Sequence, residues 1–595
     1  MKERLVKYID ALNQYRKTKI SNRNFLVIAA LIVGVLAGCA AALLKSLTHH
    51  IESFLQSGFQ WHYKYYLYIF FPMIGILLSV MYTRRFIRKG KFETGLTPVL
   101  YTISRKSSKV EPHNIYSQII TAALTVGFGG STGLESPIVT SGGGIGSAIG
   151  RFLGLSYREV TMLLACGAAA GIAGAFNSPI AGIVFAIEIL LPEFTIPAFI
   201  PLLLSAATAA VVARLFYSEQ LFFLVTEGWL ISAIPYYVIL ALLIGVFSIY
   251  FTKVNSMVKS FFQKINHPYK KVVVGGLMLG ALVFLFPTLY GEGYITIRNL
   301  LSGDHESIVS NSVFSSYSNV PFIVVLFTLT TIFAKSLATL ITLGAGGNGG
   351  VFAPSLIMGG LIGFLFAFSV NTLGIAQLNI ANFIVAGMAA ALSGIMHAPL
   401  TGIFLIAEIT GGYILMVPLM ITSAISYFIN RSSNKYSIYT KSLAESDALL
   451  SHEDKDSTVL NMMKLRYLVE TDFVSLKEED LISSRISDIL KTRRNLFPVL
   501  NDQGYFKGLL YMDDILKITS SAEVEEQKVK EFLHAAPDIV LISDPLKSVL
   551  LKMEAENVWI LPVLNNRGVY LGFVSKTSIF NKYRDLLRRQ ADYME

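Results

Sequence analysis

The most restrictive feature of this chain is where it carries no charge. No Asp, Glu, Lys or Arg occurs from Phe25 to Leu44, from Tyr65 to Thr83, or from Val160 to Ile187. From Ser336 to Ala407 the one side chain that titrates near neutrality is His397. About 20 apolar residues suffice to span a bilayer. Charged residues make up 15% of the chain, against about 25% in an average soluble protein, and the mean hydropathy is +0.55. Glycine-rich interruptions predict that some of the spans are broken helices. The chain reads as a polytopic membrane protein.

The two cysteines, Cys39 and Cys166, both lie in apolar segments, so neither a disulfide framework nor a metal site is expected. The first twenty residues are polar and basic (Lys2, Arg4, Lys7, Arg16, Lys17, Lys19), and no small-residue cleavage pattern follows the first span, so a cleavable signal is not expected. Much of the net charge of +10 stands beside spans, where it orients the chain; nucleic acid is not an expected partner. The basic arm and the run Arg84 to Lys91 are separated by two passes and fall on one side, assigned to the cytoplasm. Both termini are then expected to be cytoplasmic, in a multi-pass protein of the cell membrane.

Composition divides the chain into an arm (1–23), a membrane domain (24–443), a polar linker (444–457) and a region of soluble composition (458–595). The membrane part repeats itself, with halves of about 24–215 and 232–430. Gly129-Gly130-x-x-Gly133-x-x-x-Pro137 matches Gly346-Gly347-x-x-Gly350-x-x-x-Pro354, and the same offset carries Gly142, Gly143 and Gly146 onto Gly359, Gly360 and Gly363. A second block, Gly167 to Ile189, matches Gly387 to Ile409, pairing Pro179 with Pro399 and Glu188 with Glu408. Interrupted apolar segments at matching places in two halves point to a binding site at the repeat interface.

Within a membrane, backbone off its helical ladder is tolerated only where it is buried in protein or lines a wet cavity. Glycines let backbone N–H groups approach a ligand, and proline suits the first turn of a new helix. Helix N-termini gather unpaired donors and partial positive charge, which suits an anion. Two such N-termini, after Gly133 and after Gly350, would bind a small anion without the over-tight grip of a full positive charge. A phosphate-binding loop is excluded, since neither run ends in Gly-Lys-Ser/Thr. Glu135 lies in the first loop; an intramembrane carboxylate is a functional candidate by default. Ionised, it would compete with the anion; protonated, it would withdraw, acting as a gate or a proton carrier. His397 reads as a hydrogen-bonded packing histidine before a proton relay, and Lys335 as a snorkelling or vestibule charge.

These motifs resemble those of the CLC family of chloride channels and chloride/proton antiporters. GLESP (Gly133 to Pro137) is similar to the family's G-[KR]-E-G-P element, departing at Leu134 and Ser136, and GGVFAP (Gly349 to Pro354) to its G-x-F-x-P element. ETGLTPV (Glu93 to Val99) is similar to G-S-G-I-P-E-V, and SIYT (Ser437 to Thr440) to the segment whose tyrosine hydroxyl coordinates the central anion, with Tyr436 as a second choice to Tyr439. The Gly167 and Gly387 blocks resemble the dimer-side helical regions. The resemblance implies two inverted repeats with broken helices, a homodimer, and one anion pathway per subunit. It also implies Glu135 as gate and chloride binding by Thr94, Gly133, Leu134, Glu135, Val351, Phe352 and Tyr439. Ile189 stands where the family's proton-coupled exchangers usually carry an inner glutamate.

The C-terminal region carries its own repeat: Leu496 to Gly504 matches Ile560 to Gly568, and Gly508 matches Gly572. Each copy reads as strand, turn, strand and helix and resembles one of a pair of CBS domains, which often bind adenine nucleotide through a Ser/Thr and an Asp. The first copy keeps Asp514, with Tyr511 at the other position; the second keeps Ser575, with Ser578 at the other. Weak or no nucleotide binding is expected, with docking and dimerisation as the companion reading. The expectation as a whole is an all-α polytopic membrane domain with a C-terminal α/β CBS pair. It conducts chloride through a voltage- or pH-gated channel, or exchanges it for protons, with no cofactor and no enzymatic nucleophile–base set at depth.

Overall fold

The computed structural model describes residues 21–57, 69–87, 92–191, 196–217, 228–310, 312, 314–317, 320–445, 460, 463–519 and 527–591. The basic arm of residues 1–20, positions 88–91 and most of the linker lie outside the described residues. The chain forms two units, Met1–Leu449 and Leu450–Glu595.

The first unit is helical: α1 Asn22–Ser57, α2 Phe71–Phe86, α3 Thr97–Arg105, α4 Asn114–Gly127, α5 Glu135–Phe152, α6 Tyr157–Phe176, α7 Pro179–Phe185, α8 Ile196–Phe216, α9 Ile234–Gln263, α10 Pro268–Leu285, α11 Tyr294–Leu301, α12 Pro321–Gly344, α13 Phe352–Thr372, α14 Ile380–Met396, α15 Pro399–Ile409 and α16 Met416–Ser433. Prolines 72, 98, 179, 235, 268, 321 and 399 stand in first turns, where the missing N–H costs nothing. Among the described residues, seven helices are long and apolar enough to cross a membrane. The uncharged run from Val160 to Ile187 is broken, as α6 ends at Asn177 in the left-handed region and α7 starts at Pro179.

The sequence repeat is a structural one. The pair α5 and α6 corresponds to α13 and α14, and each pair crosses backbone against backbone. A Cβ at Gly142 would overlap the Gly167 carbonyl oxygen; one at Gly359 would overlap that of Gly387. Asn177 (φ 56°) and His397 (φ 58°) close α6 and α14 in the same left-handed conformation. Glu188 and Glu408 also answer one another. Glu188 accepts the N–H groups of Leu400 (3.1 Å) and Thr401 (2.8 Å) at the start of α15, and Glu408 those of Ile180 (3.1 Å) and Ala181 (2.8 Å) at the start of α7. Each half thus caps a helix of the other, placing a carboxylate where the dipole favours it and satisfying N–H groups that the bilayer could not.

The second unit holds two copies of one motif. Strands β1 Leu476–Lys477, β2 Leu496–Leu500 and β3 Phe506–Tyr511 form one sheet, and β4 Val540–Leu541, β5 Ile560–Leu564 and β6 Tyr570–Ser575 the other. In both, the first pairing is parallel and the second antiparallel. Proline is unusual in a central strand. Pro498 is tolerated because β1 reaches only Val499 and Leu500; Pro562 escapes β4 in the same way.

Candidate functional site

The two glycine loops meet at the centre of the first unit. Gly133 and Gly350 exchange both backbone hydrogen bonds, N–H of Gly133 to O of Gly350 at 2.9 Å and the reverse at 2.8 Å. Threonines at equivalent positions cross-link the halves: the Ser131 N–H donates to Thr342 Oγ1 (3.3 Å) and the Asn348 N–H to Thr125 Oγ1 (3.0 Å). Thr132 Oγ1 donates to the Gly350 carbonyl at 2.8 Å, and Asn348 Nδ2 to Gln118 Oε1 at 2.8 Å. The loop backbone is off its helical ladder yet bonded, as burial in a membrane requires. From this junction α5 begins at Glu135, after Leu134, and α13 at Phe352, after Val351.

Glu135 is 3% exposed. Its Oε1 accepts the hydroxyl of Tyr294 at 3.0 Å. The peptide N–H groups of Glu135 and Ala353 face the carboxyl group, while Oε2 meets no donor in hydrogen-bonding geometry. The carboxyl folds back over the loop so closely that a Cβ at Gly133 would overlap Oε2, so this position is closed to any side chain. A carboxylate between two helix N-termini occupies the kind of place that suits a small anion.

Tyr439 is buried, and its hydroxyl, which has no partner in bonding geometry, faces Ser136 and the peptide of Val351. Its carbonyl accepts Thr97 Oγ1 at 3.0 Å. Tyr436 stands apart from this group, beneath the Lys435 ammonium. Phe352 is buried between Phe176 (ring centroids 5.5 Å) and Phe185 (6.4 Å), and Tyr294 completes the aromatic wall against Phe176 at 6.5 Å. Gly133, Leu134, Glu135, Val351, Phe352 and Tyr439 are thereby brought together. Thr94 lies in a partly exposed turn held at both neighbours, where the carbonyl of Glu93 accepts Gln118 Nε2 (3.2 Å) and that of Gly95 accepts Thr140 Oγ1 (3.4 Å).

Two expectations need correction. Lys335 neither snorkels nor faces a vestibule: it is 1% exposed and donates to Ser131 Oγ (2.9 Å) and the Gly291 carbonyl (3.1 Å), because the loops supply acceptors where water is absent. His397 packs without hydrogen bonds at either ring nitrogen, edge-on to Tyr427, its place being set by the helix cap. Sequence reasoning missed Tyr294, Thr97 and Glu292, whose Oε1 accepts the Leu134 N–H at 3.2 Å. The signal was present: an acidic residue between Gly291 and Gly293, two residues from a tyrosine on either side, just after an apolar helix. Ile189 lies in a π-helical turn, Ala186–Leu190, directly after the capping Glu188.

In the second unit the two nucleotide candidates already have partners. Asp514 Oδ2 bonds His534 Nε2 at 2.9 Å, and the Ser575 hydroxyl donates to Glu470. Glu470 also pairs with Arg494 at 2.8 Å, as does Asp472.

A family model described as "Voltage gated chloride channel" matches residues 75–431. A "Putative chloride channel protein ClcB-like" of Ralstonia nicotianae is 31% identical over 336 residues, covering 54% of this chain and 73% of that protein. An "H(+)/Cl(-) exchange transporter ClcA" of Vibrio cholerae serotype O1 is 28% identical over 446 residues, covering 70% of this chain and 88% of its own length. Among solved structures, a slow cyanobacterial Cl-/H+ antiporter superposes with a TM-score of 0.59 at 24% identity, over 72% of this chain and 99% of its own. A eukaryotic CLC transporter gives a TM-score of 0.59 at 19% identity, over 94% and 99%. These two support the fold.

Proposed function

Because this chain belongs to the voltage-gated chloride channel (CLC) family of membrane anion transport proteins, we propose that it exchanges chloride for protons, with Glu135 as the group that both blocks the anion path and carries the proton. The observation that carries this reading is the Glu135 carboxyl lying between the N-termini of α5 and α13, a position that suits an anion. Ionised, it occupies the site; protonated, it loses the electrostatic reason to stay and yields to chloride. Leu134, Gly133, Val351 and Phe352 frame the anion, Tyr439 offers its unpartnered hydroxyl, and Thr94 lines the inner approach. Dimerisation along α7 and α15, where Ile180 and Leu400 are exposed, fits the family. The basic end of α2, with Arg84 and Arg85, is taken as the cytoplasmic side.

A second reading, passive gated conduction, is favoured by one residue. Ile189 can neither bind a proton nor hydrogen-bond water, so a proton reaching Glu135 from inside needs a water chain. The Vibrio cholerae relative, named as an exchanger, favours coupling nonetheless. In proteoliposomes an imposed chloride gradient is expected to drive protons against their own gradient. Chloride flux with no proton movement would replace exchange by conduction.

The C-terminal pair we read as a docking and dimerisation module of the CBS kind. Ser575 and Asp514 are engaged internally, by Glu470 and His534. Titration calorimetry on the full chain with ATP or AMP is expected to give no saturable heat at ligand concentrations up to about 1 mM, the millimolar regime of very weak binding. Micromolar binding that is lost in Asp514→Ala would restore the nucleotide site.

A further inference from the structure

The mechanism above leaves one acidic side chain of the site unused. Glu292 lies between Gly291 and Gly293, in the segment joining α10 to α11. Its Oε1 accepts the N–H of Leu134, the residue immediately before Glu135, and two residues on, Tyr294 donates to Glu135 itself. One short segment thus touches the gate at two adjacent points. The carboxyl groups of Glu292 and Glu135 interact electrostatically, and as a residue Glu292 is less buried than Glu135.

The segment is held in place. Lys335 donates to the Gly291 carbonyl and its ammonium faces Glu292; the Gly291 N–H donates to the Gly129 carbonyl at 3.3 Å. From α1, Lys45 and Glu52 act on Glu292, and Tyr294 and Glu135 complete the charged and titratable groups around it. Its side of the membrane follows from packing. Arg84, at the end of α2, stands over the ring of Tyr269, in the first turn of α10, at 5.5 Å. The chain then runs the length of α10 before reaching Glu292, so this carboxyl lies toward the face opposite Arg84.

We propose that Glu292 is the outer proton station of the transport cycle, passing protons between the aqueous face opposite Arg84 and the carboxyl of Glu135. This rests on the reading of Glu135 as gate. In the transfer, the O–H bond of a protonated Glu292 breaks as one forms on the Glu135 carboxylate, directly or through one water, so the proton moves and the negative charge passes outward. Glu292 meets the peptide N–H of Leu134 and Tyr294 meets Glu135 itself, so a proton leaving one carboxyl finds the other at the same turn of chain. A buried gate thereby gains a neighbouring carboxyl that is less buried than itself.

The test is chloride efflux from proteoliposomes holding the full-length protein, at symmetric pH from 4.5 to 7.5. Glu292→Gln keeps an oxygen to accept the Leu134 N–H but abolishes the charge. It is expected to lower the pH of half-maximal flux by at least about one unit, the effect of a like charge roughly 12 Å away at an effective dielectric constant of about 20, and to slow proton movement relative to chloride. Glu292→Asp, which keeps the charge, is expected to hold the wild-type midpoint. A Glu292→Gln profile scaled down at every pH without a shift would make Glu292 a structural acceptor and overturn the proposal, as would an Asp variant that behaves like Gln. Glu135→Gln separates the two layers: if it keeps a wild-type pH profile the gate reading fails, whereas a flat profile beside an unshifted Glu292→Gln removes Glu292 alone.

Discussion

Chloride efflux through the Glu135→Gln protein is expected to be the same at pH 4.5 and pH 7.5. With Glu135 as the gate, wild-type flux is expected to fall as pH rises, because the protonated fraction of a carboxyl group drops about tenfold for each unit above its midpoint. Glutamine is close to glutamate in shape but has no charge to draw it between the starts of α5 and α13, and no proton to exchange. The variant therefore stays permissive at every pH, and its chloride flux no longer drives protons. The glutamine oxygen can keep the Tyr294 hydroxyl bond, so the variant isolates the loss of charge at Oε2, which no donor meets in bonding geometry. A Glu135→Gln protein with a steep pH profile would move the gate elsewhere.

A comparably large effect, on folding instead of transport, is expected from Gly142→Leu. A Cβ at this position overlaps the carbonyl oxygen of Gly167 on the crossing helix, and backbone cannot step aside as a side-chain tip can. Overpacking typically costs about 1–3 kcal/mol, and a site that forces two helices apart belongs at or beyond the upper end. Thermal unfolding in detergent, followed by size exclusion, should show a strongly lowered midpoint or loss of the folded peak. Gly143→Ala is the control: its Cβ would meet Leu164 Cδ2 at 3.5 Å, an ordinary contact, so stability should be unchanged or raised by up to about 1 kcal/mol, the helix preference of Ala over Gly. Equal damage from both would mean that these helices are more loosely packed than the Gly142–Gly167 contact requires.

The residues that can be read from the sequence are those that the repeat writes twice. The glycine loops, their following prolines and the Glu188–Glu408 pair are visible because two copies share one spacing, and spacing survives where composition is uniformly apolar. Their partners are not visible. That Glu188 caps α15 and Glu408 caps α7 depends on which helix ends meet in space, and nothing in either local sequence encodes the other. Glu292 was lost for a related reason: it has no acidic counterpart in the first half, so its importance comes from contacts made in space, with Leu134 and beside Glu135. Lys335 was misjudged because a lysine in an apolar run suggests escape to water, whereas two loop oxygens far away in sequence retain it. The Thr94 turn is the intermediate case: the motif located it, and the threonine that bonds Tyr439 is Thr97.

The reciprocal bonds between the glycine loops bear on how such a chain is made. Ser131 and Gly133 direct their N–H groups to Thr342 and Gly350, which a ribosome synthesises much later. Until the second half arrives, the first has no native acceptors for these donors, and α7 lacks the carboxylate that caps it. The early half must wait at the insertion machinery with its loop still hydrated. Commitment to the lipid phase then becomes a single event that both halves enter together, and a chain cut between them should assemble only when the two pieces are synthesised in the same cell.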